Sequence, residues 1–160
     1  MRLIKFALAV AAAVLLTPSA AQASVDDVVV PGASAWTATG ITVYPGVLTV
    51  VASGTIEIAT NGAPMDPNGY GTCVAGGGWV APGLPCYSLI GRIGEGPPFA
   101  LGSNSVHLLD QSGPLYLGVD DEAAAFGDNS GAWNVRIEAN TGPGFVCLGG
   151  EQCNGRPHPG

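Results

Sequence analysis

The sequence predicts an all-β fold, an antiparallel β-sandwich of roughly eight strands. Short runs rich in Val, Ile, Thr and Tyr recur between Gly, Pro, Asn and Asp breaks, which is the pattern of strands separated by turns. Beyond residue 23, no 11-residue window combines helical periodicity with helix formers and caps. Since parallel strands need helical crossovers, we expect antiparallel sheets stacked on each other.

The predicted strands follow one another along the chain, and each is bounded by turn residues such as Pro45-Gly46 and Ser130-Gly131. They cover residues 27–30, 39–43, 47–52, 55–60, 87–93, 105–109, 115–119 and 132–138. Two stretches are predicted to be irregular, residues 61–85 and the tail from residue 139. Long loops in compact domains are usually functional or disordered.

The first 23 residues are predicted to be a secretory signal peptide. A basic head with Arg2 and Lys5 precedes an apolar run over residues 6–16, and an A-x-A cleavage site ends at Ala23. The alternative, a membrane anchor, needs roughly 20 apolar residues, and this run has 11. We therefore expect a secreted or periplasmic protein made of a signal peptide (1–23), a sandwich domain (24–138) and a Gly/Pro-rich tail (139–160).

The charge balance excludes several classes of partner. The chain has 12 Asp+Glu against 5 Lys+Arg and a net charge of −7. Cleavage after Ala23 leaves three arginines and no lysine against those 12 acidic residues, a net charge of −9. Such a chain lacks the attraction to phosphate on which nucleic-acid binding depends, and it does not adhere to anionic lipid. An acidic surface suits metal cations.

Four cysteines are predicted to form disulfides, because export places them in an oxidising compartment. Their spacings do not resemble a zinc pair, and no C-x-x-C motif is present. Of the three possible connectivities, we expect Cys73 with Cys86 and Cys147 with Cys153, because these pairs close two short Gly-rich loops. The chain-entropy model gives such loops about 3 and about 2 kcal/mol of stabilisation.

No catalytic residue is predicted. His107 lies inside an apolar strand pattern, where a satisfied strand residue is expected, and His158 lies between prolines in the tail. Neither histidine has a Ser or Cys nucleophile or a metal-ligand spacing around it. The sequence therefore does not predict an enzyme.

One loop, residues 120–131, is rich in oxygen-bearing side chains. A predicted strand runs into it and another runs out, so the carboxylates of Asp121 and Asp128 and the amide oxygen of Asn129 can meet at one end of a sandwich. Calcium takes six to eight oxygens of mixed type from such loops. The loop lacks the residue order of an EF-hand. An acidic surface hairpin is the alternative, and composition favours neither.

The sequence resembles the calcium-binding end of the bacterial PA-I-type galactophilic lectins. The resemblance lies first in residues 116–121 (YLGVDD), 126–131 (FGDNSG) and 133–137 (WNVRI). It extends in order to residues 36–43 (WTATGITV), 48–54 (LTVVASG) and 88–94 (SLIGRIG), so that it covers about two thirds of the chain.

That resemblance implies a jelly-roll-like β-sandwich with one bound calcium ion (Ca2+), to which sugar hydroxyls bind directly. Of the implied ligands, Asp121, Asp128 and Asn129 give side-chain oxygens and Ala125 gives a carbonyl, while Val43 or Tyr44 gives a second carbonyl. Asp121, Ala125 and Asp128 are also implied to line the sugar site. The lectins carry Asn at position 128 and Thr at position 125.

The long loop departs from the family pattern. Galactose-binding members grip the sugar with His and Gln side chains from this region, and residues 73–86 contain neither. Trp79, beside three glycines, is predicted to pack its ring on the sugar. The alternative is that Trp79 is a hydrophobic plug that pins the loop.

Two functions of different class remain open. The first is a secreted, calcium-dependent carbohydrate-binding domain whose partner is a neutral glycan, galactose-like or another sugar with vicinal hydroxyls. The second is a structural β-sandwich that keeps calcium only as a staple. A polar side chain near residues 120–131 that could bind a sugar would separate them, and the candidates are Asn61, Asp66, Asn68 and Tyr70. The sequence leaves the oligomeric state open, self-association included.

Signal-peptide removal gives the first testable prediction. Because the A-x-A site ends at Ala23, mass spectrometry of the exported protein should find Ser24 at its N-terminus. Mature protein that retains Lys5 would contradict this prediction.

Overall fold

The computed structural model describes residues 22–59 and 62–142. These residues form an all-β sandwich of two antiparallel sheets, which confirms the predicted fold class. The strands are β1 (Ala23–Pro31), β2 (Trp36–Val43), β3 (Gly46–Glu57), β4 (Pro64–Met65), β5 (Leu89–Ile93), β6 (Phe99–Ala100), β7 (Asn104–Leu109), β8 (Gly113–Val119) and β9 (Ser130–Asn140). A 3-10 turn, Phe126–Asp128, lies between β8 and β9.

The first sheet is organised around β3, its longest strand. One edge of β3 pairs with β9 from Leu48 to Glu57, and β9 pairs in turn with β1. The other edge of β3 pairs with β7 near its start and with β4 near its end. The second sheet has the order β2-β8-β5-β6. The chain crosses from the second sheet to the first between β8 and β9, through residues 120–129.

The core lies between the sheets and is filled by alternate residues of the strands, as expected for sheets with one buried face. The largest fully buried side chain is that of Trp133 on β9, whose Nε1 donates to the carbonyl of Met65 at 3.2 Å. Other fully buried side chains of the core are those of Leu48, Val50 and Ile56 on β3, Leu89 on β5, Leu115, Leu117 and Val119 on β8, and Ile137 on β9.

Predicted strands 47–52 and 55–60 are one continuous strand, β3. The Ser53-Gly54 pair is typical of a turn, yet it continues the ladder opposite Asn134 and Trp133. Gly54 has a φ of 97°, and a Cβ built there would lie 2.9 Å from the carbonyl oxygen of Ala132. Gly54 therefore allows the backbones of two neighbouring strands to lie close together, and it does not mark a turn.

The strand ends also differ from the prediction. The two-residue strands β4 and β6 were not predicted, because pairs this short carry no periodic pattern. The sandwich begins at Ala23 and continues through Asn140 at the end of β9, and the Thr141 N–H donates to the carbonyl of Gln22 at 2.7 Å. Residues 139–140 are thus part of the sheet and not of the tail.

Several of the predicted features fall on described residues, and the others fall outside them. The predicted disulfide between Cys73 and Cys86 is present. His107 lies on β7 as expected, with its ring 5.0 Å from that of Phe99, although its Nε2 has no hydrogen-bond partner. Residues 1–21 of the predicted signal peptide, the candidate Asn61, the Cys147–Cys153 pair and His158 lie outside the described residues. Among residues 22–59 and 62–142, no helix is long and apolar enough to cross a membrane.

Close packing at the start of β2 gives a stability prediction. A Cβ built on Gly118 would lie 2.1 Å from the carbonyl oxygen of Ala35. We expect Gly118→Ala to lower the free energy of unfolding by about 1–3 kcal/mol, because backbone must move to admit the methyl group.

Urea unfolding checks this prediction, with Gly77→Ala as the matched control. A Cβ at Gly77 would meet nothing within 4 Å. Equal unfolding midpoints for the two variants would contradict the packing argument.

Candidate functional site

The acidic loop, residues 120–129, joins the last residue of β8 to the first residue of β9 at one end of the sandwich. It is held by short-range backbone bonds, since the Ala125 N–H donates to the Glu122 carbonyl at 2.9 Å and the Asn129 N–H to the Phe126 carbonyl at 3.4 Å. The compact turn keeps residues 121 and 129 close together although eight positions separate them.

Asp121 and Asn129 form a buried pair at the base of this loop. Their side chains contact each other, with Asn129 Nδ2 donating to Asp121 Oδ2 at 2.8 Å. The residues are only 2% and 8% exposed. The second carboxylate oxygen of Asp121 accepts the Glu122 N–H at 2.7 Å. A buried carboxylate with charge-assisted hydrogen bonds on both oxygens is held in a fixed position.

Asn129 also connects the loop to two other segments. Its Nδ2 donates to the Gly32 carbonyl in the β1–β2 turn at 3.2 Å, and its Oδ1 accepts the Ala59 N–H just beyond β3 at 3.3 Å. Ala59 has a φ of 67°, a left-handed conformation that is uncommon for alanine. The chain segment at Ala59 therefore belongs to the candidate site, and no local sequence signal pointed to it.

The remaining predicted ligands occupy the rest of the loop. Asp128 ends the 3-10 turn and is exposed, while Ala125 precedes that turn and is half-buried. Within residues 22–59 and 62–142, no three His, Cys, Asp or Glu side chains are grouped closely enough to hold a metal by themselves. A cation here would therefore also need amide and carbonyl oxygens.

Val43 and Tyr44 do not reach this end of the sandwich. β2 runs antiparallel to β8, with Trp36 opposite Gly118 and Val43 opposite Gly113. The acidic loop follows the Gly118 end of β8, so the end of β2 lies at the other end of the sheet. The Tyr44 N–H there donates to the carbonyl of Asn140 at 2.9 Å. The predicted carbonyl ligand from Val43 or Tyr44 is thus incompatible with the strand register.

The disulfide-closed loop, residues 73–86, pairs with the acidic loop through its backbone. The Val80 N–H donates to the Asp121 carbonyl at 2.9 Å, and the Ala123 N–H donates to the Gly78 carbonyl at 3.0 Å. These bonds flank a bridge between Trp79 and Glu122. Trp79 was predicted to pack on a sugar or, as the alternative, to pin the loop as a hydrophobic plug, and its backbone lies against the acidic loop.

Trp79 packs on a second aromatic ring, that of Tyr87, with ring centroids 5.0 Å apart and planes tilted by 57°. Both residues are half-buried, so Trp79 contacts the loop and keeps part of its surface in solvent. Tyr87 has a φ of 58°, and its N–H donates to the Asp120 carbonyl at 2.6 Å. Tyr87 was predicted to begin a strand, and the left-handed backbone explains why β5 starts two residues later.

Negative charge surrounds Tyr87. Burial raises the pKa of its phenol, and the nearby carboxylates of Asp121, Glu122 and Asp128 raise it further. The hydroxyl therefore stays protonated at neutral pH and can donate a hydrogen bond.

Asp120 is fully buried beneath the disulfide-closed loop. Its Oδ1 accepts the Ala81 N–H at 2.8 Å, and its Oδ2 has no hydrogen-bond partner. Burial raises the pKa of this carboxyl to about 6; the bond from Ala81 opposes the rise and the charge of Asp121 adds to it. A buried carboxylate that lacks hydrogen-bond partners for both oxygens is protonated more readily than one in water.

Both arginines in the described part of the chain are engaged elsewhere. Arg92 pairs with Glu95 at 3.0 Å and lies over the rings of Trp36 and Tyr116. Arg136 pairs with Asp27 at 3.7 Å on the outside of the first sheet. The acidic end thus carries an excess of negative charge, which suits a bound cation.

The candidate gripping residues are mostly engaged in turns. Asp66 Oδ1 accepts the Asn68 N–H at 2.7 Å, and Asn68 Oδ1 accepts the N–H and hydroxyl of Ser103. Tyr70 is 59% exposed, and its N–H donates to the Cys86 carbonyl. Besides Trp79, the structure brings the aromatic side chain of Tyr87 close to the acidic loop.

Comparison with solved structures finds a chain that shares this fold. A structure described as "EclA N-terminal domain; PllA-like lectin" matches with a TM-score of 0.56 and 24% sequence identity. The match covers 71% of this chain and 95% of that chain. At this identity the likeness shows a shared fold. No protein-family model matches the sequence, and no curated protein does.

The raised pKa of Asp120 predicts a pH-dependent stability. The folded value of about 6 exceeds the reference value of 3.8, so the group favours folding below pH 4 and this contribution is lost as the pH rises through 6. Asp120→Asn cannot ionise. We therefore expect its free energy of unfolding, relative to the wild type, to increase by about 1–3 kcal/mol between pH 4 and pH 7.5.

Urea unfolding at the two pH values, with chelator present, measures this change. The chelator removes any contribution from metal binding. A difference between the two proteins that does not change with pH would contradict the assignment to Asp120.

Proposed function

We propose that the chain is an exported, calcium-dependent carbohydrate-binding domain. The observation that supports it most directly is the buried pair of Asp121 and Asn129, at the acidic end of a lectin-like fold. The proposed site lies beside the partly exposed ring of Trp79.

The donor set fits calcium. The oxygens assigned to it are the side chains of Asp121, Asp128 and Asn129 and the carbonyl of Ala125. These are carboxylate, amide and carbonyl oxygens, a mixture that favours calcium over zinc or copper as the bound metal. The carbonyl of Gly32, which accepts a hydrogen bond from Asn129 Nδ2, replaces that of Val43 or Tyr44 as the candidate for a further carbonyl ligand.

Calcium takes six to eight oxygens, so four or five from the chain leave positions for a ligand. A bound calcium ion would supply a positive centre to which two adjacent sugar hydroxyls bind. The ligand is expected to be neutral, because Asp120, Asp121, Glu122 and Asp128 would repel an acidic sugar.

The aromatic pair supplies the remaining contacts of the proposed sugar site. The ring of Trp79 offers an apolar face to the C–H groups of a sugar, and its packing on Tyr87 fixes its orientation. The protonated hydroxyl of Tyr87 is a hydrogen-bond donor within the field of the same carboxylates. These two residues stand in the region where galactose-binding lectins use His and Gln.

A second candidate function has an observation in its favour. Asn129 and Asp121 hold the acidic loop, the β1–β2 turn and the end of β3 together, which is what a structural staple does. In that case calcium would stabilise the loop without a free position for sugar. The two functions differ in whether the ion keeps an open coordination position.

The calcium site is tested by thermal melting with calcium and with chelator. A ligand that binds only the folded state stabilises it by about 2.7 kcal/mol at a hundredfold excess over Kd. We expect calcium to raise the Tm of the wild type, and Asp128→Ala to remove most of the increase. Asp110→Ala is the control, because Asp110 follows β7 at the opposite end of the sandwich. Equal melting of the wild type in both solutions would reject the site.

Glycan binding is measured on a high-density array, because few contacts are available and monovalent affinity should be weak. We expect binding to be lost with chelator and with Asp128→Ala. Trp79→Ala should weaken it at least tenfold while the calcium-dependent Tm shift remains. Val74→Ala, which shortens an exposed apolar side chain of the same disulfide-closed loop, is the control. If calcium raises the Tm and no glycan is retained, calcium has only a structural role and the second candidate function holds.

A further inference from the structure

Asp120 lies between the two chain segments that carry the aromatic rings of the proposed sugar site. It directly follows β8, and its backbone continues the pairing with the chain before β5. The Asp120 N–H donates to the Ser88 carbonyl at 3.0 Å, and the Asp120 carbonyl accepts the Tyr87 N–H at 2.6 Å. Its side chain contacts the disulfide-closed loop, where Oδ1 accepts the Ala81 N–H at 2.8 Å. One residue therefore holds the backbone near both rings.

The segment that carries Trp79, residues 78–81, lies along the acidic loop. Backbone hydrogen bonds on either side of the bridge between Trp79 and Glu122 join the two. A further bond runs from the Ala81 N–H to the side chain of Asp120. Unlike the backbone bonds, this one is lost when its acceptor side chain is replaced.

The chain before this segment gives it little support. Gly76 and Gly77 are exposed, and a Cβ built on either would meet nothing within 4 Å. The ring of Trp79 packs on that of Tyr87, whose own backbone is bonded to Asp120. The position of Trp79 thus depends on the contacts of residues 78–81 with the acidic loop and on a ring that Asp120 also helps to hold.

A carboxyl group is unfavourable at this buried position. Asp120 is fully buried, and its Oδ2 has no hydrogen-bond partner. Burying a polar atom without a partner costs free energy, so folding stability alone does not favour an aspartate here. An unsatisfied buried group in a folded protein calls for a separate explanation, and the bond from Ala81 to Oδ1 provides one.

We propose that Asp120 is a positioning residue for the sugar site, whose Oδ1 fixes residues 78–81 against the acidic loop and so keeps the ring of Trp79 at the acidic end. In this role Asp120 contacts neither calcium nor sugar. The inference rests on the proposed carbohydrate-binding function, because that function gives Trp79 its contact with the sugar. What the role requires at position 120 is an oxygen that accepts a hydrogen bond.

Two substitutions separate the acceptor from the charge. Asp120→Asn keeps an oxygen that can accept the Ala81 N–H, whereas Asp120→Leu has a similar size and no acceptor. We expect Asp120→Leu to lower glycan retention about tenfold, because the buried Ala81 N–H loses its partner, and Asp120→Asn to retain glycan as the wild type does. Neither substitution removes an assigned calcium ligand, so calcium should still raise the Tm of both variants.

Amide hydrogen exchange, followed by NMR, gives a readout that does not involve sugar. In the wild type, the Ala81 N–H should be protected from exchange about tenfold more than that of the exposed Gly77. In Asp120→Leu, the N–H groups of Val80 and Ala81 should exchange faster, and the indole resonance of Trp79 should shift. Asp120→Asn should resemble the wild type in both signals.

Val50→Ala is the control for a general loss of stability. Val50 is fully buried in the core on β3, so shortening it should lower the Tm. Glycan retention and the exchange of the Val80 N–H should stay as in the wild type, because the contacts of residues 78–81 are intact.

Several results would overturn the proposal. An unprotected Ala81 N–H in the wild type does so, even if Asp120→Leu fails to fold. Equal glycan retention by Asp120→Leu and the wild type does so while the carbohydrate-binding function stands. Loss of retention in Asp120→Asn as well as in Asp120→Leu shows that the acceptor is not what matters. If the wild type retains no glycan, the proposed function fails, and the exchange of the Val80 N–H in Asp120→Leu still decides whether Asp120 positions Trp79.

Discussion

The hydrogen bond between Asn129 and Asp121 is the interaction on which the candidate site depends. It joins the two ends of the loop that crosses from one sheet to the other, at 2.8 Å and out of contact with water. Asn129 extends the same contact to Gly32 and Ala59, so three chain segments that are distant in sequence meet at one amide. Removing such a side chain leaves buried groups without partners, at about 1–3 kcal/mol each. Because the amide must satisfy all three segments, the loop has little freedom to take another shape.

A second constraint positions the aromatic rings. The disulfide between Cys73 and Cys86 shortens a Gly-rich segment, and backbone bonds then pair it with the acidic loop on either side of Trp79. Asp120 supports the arrangement from below by accepting the Ala81 N–H, and its charge is disfavoured by its burial. Burying a carboxyl and holding Tyr87 in a left-handed conformation both cost free energy. The hydrogen bonds that the Ala81 and Tyr87 N–H groups donate to Asp120 oppose that cost and fix the geometry of the acidic end. Strain and unpaired polar groups collected in one place are typical of functional sites.

The position of the proposed sugar site limits how tightly it can bind. It lies at the strand ends, where the acidic loop and the disulfide-closed loop meet. A single sugar that contacts calcium and two rings would bind weakly, because few contacts offset the loss of freedom on binding. Glycans displayed at high density would be retained more tightly through effective concentration alone.

The sequence by itself determined the all-β class, most of the strands, the Cys73–Cys86 pair and the oxygen-rich character of the acidic loop. These depend on residue type and on neighbours within a few positions, where turn chemistry and alternation act. The same local patterns wrongly divided β3 into two strands at Gly54. A glycine that forms a turn and a glycine that lies close to the backbone of a neighbouring strand cannot be told apart from the sequence. The family resemblance implied a carbonyl ligand from Val43 or Tyr44, which the register of β2 on β8 places at the far end of the sheet. Only the tertiary structure decided that Ala59 and Tyr87 join the acidic loop, because strand direction and register, and not distance along the chain, determine which strand ends meet.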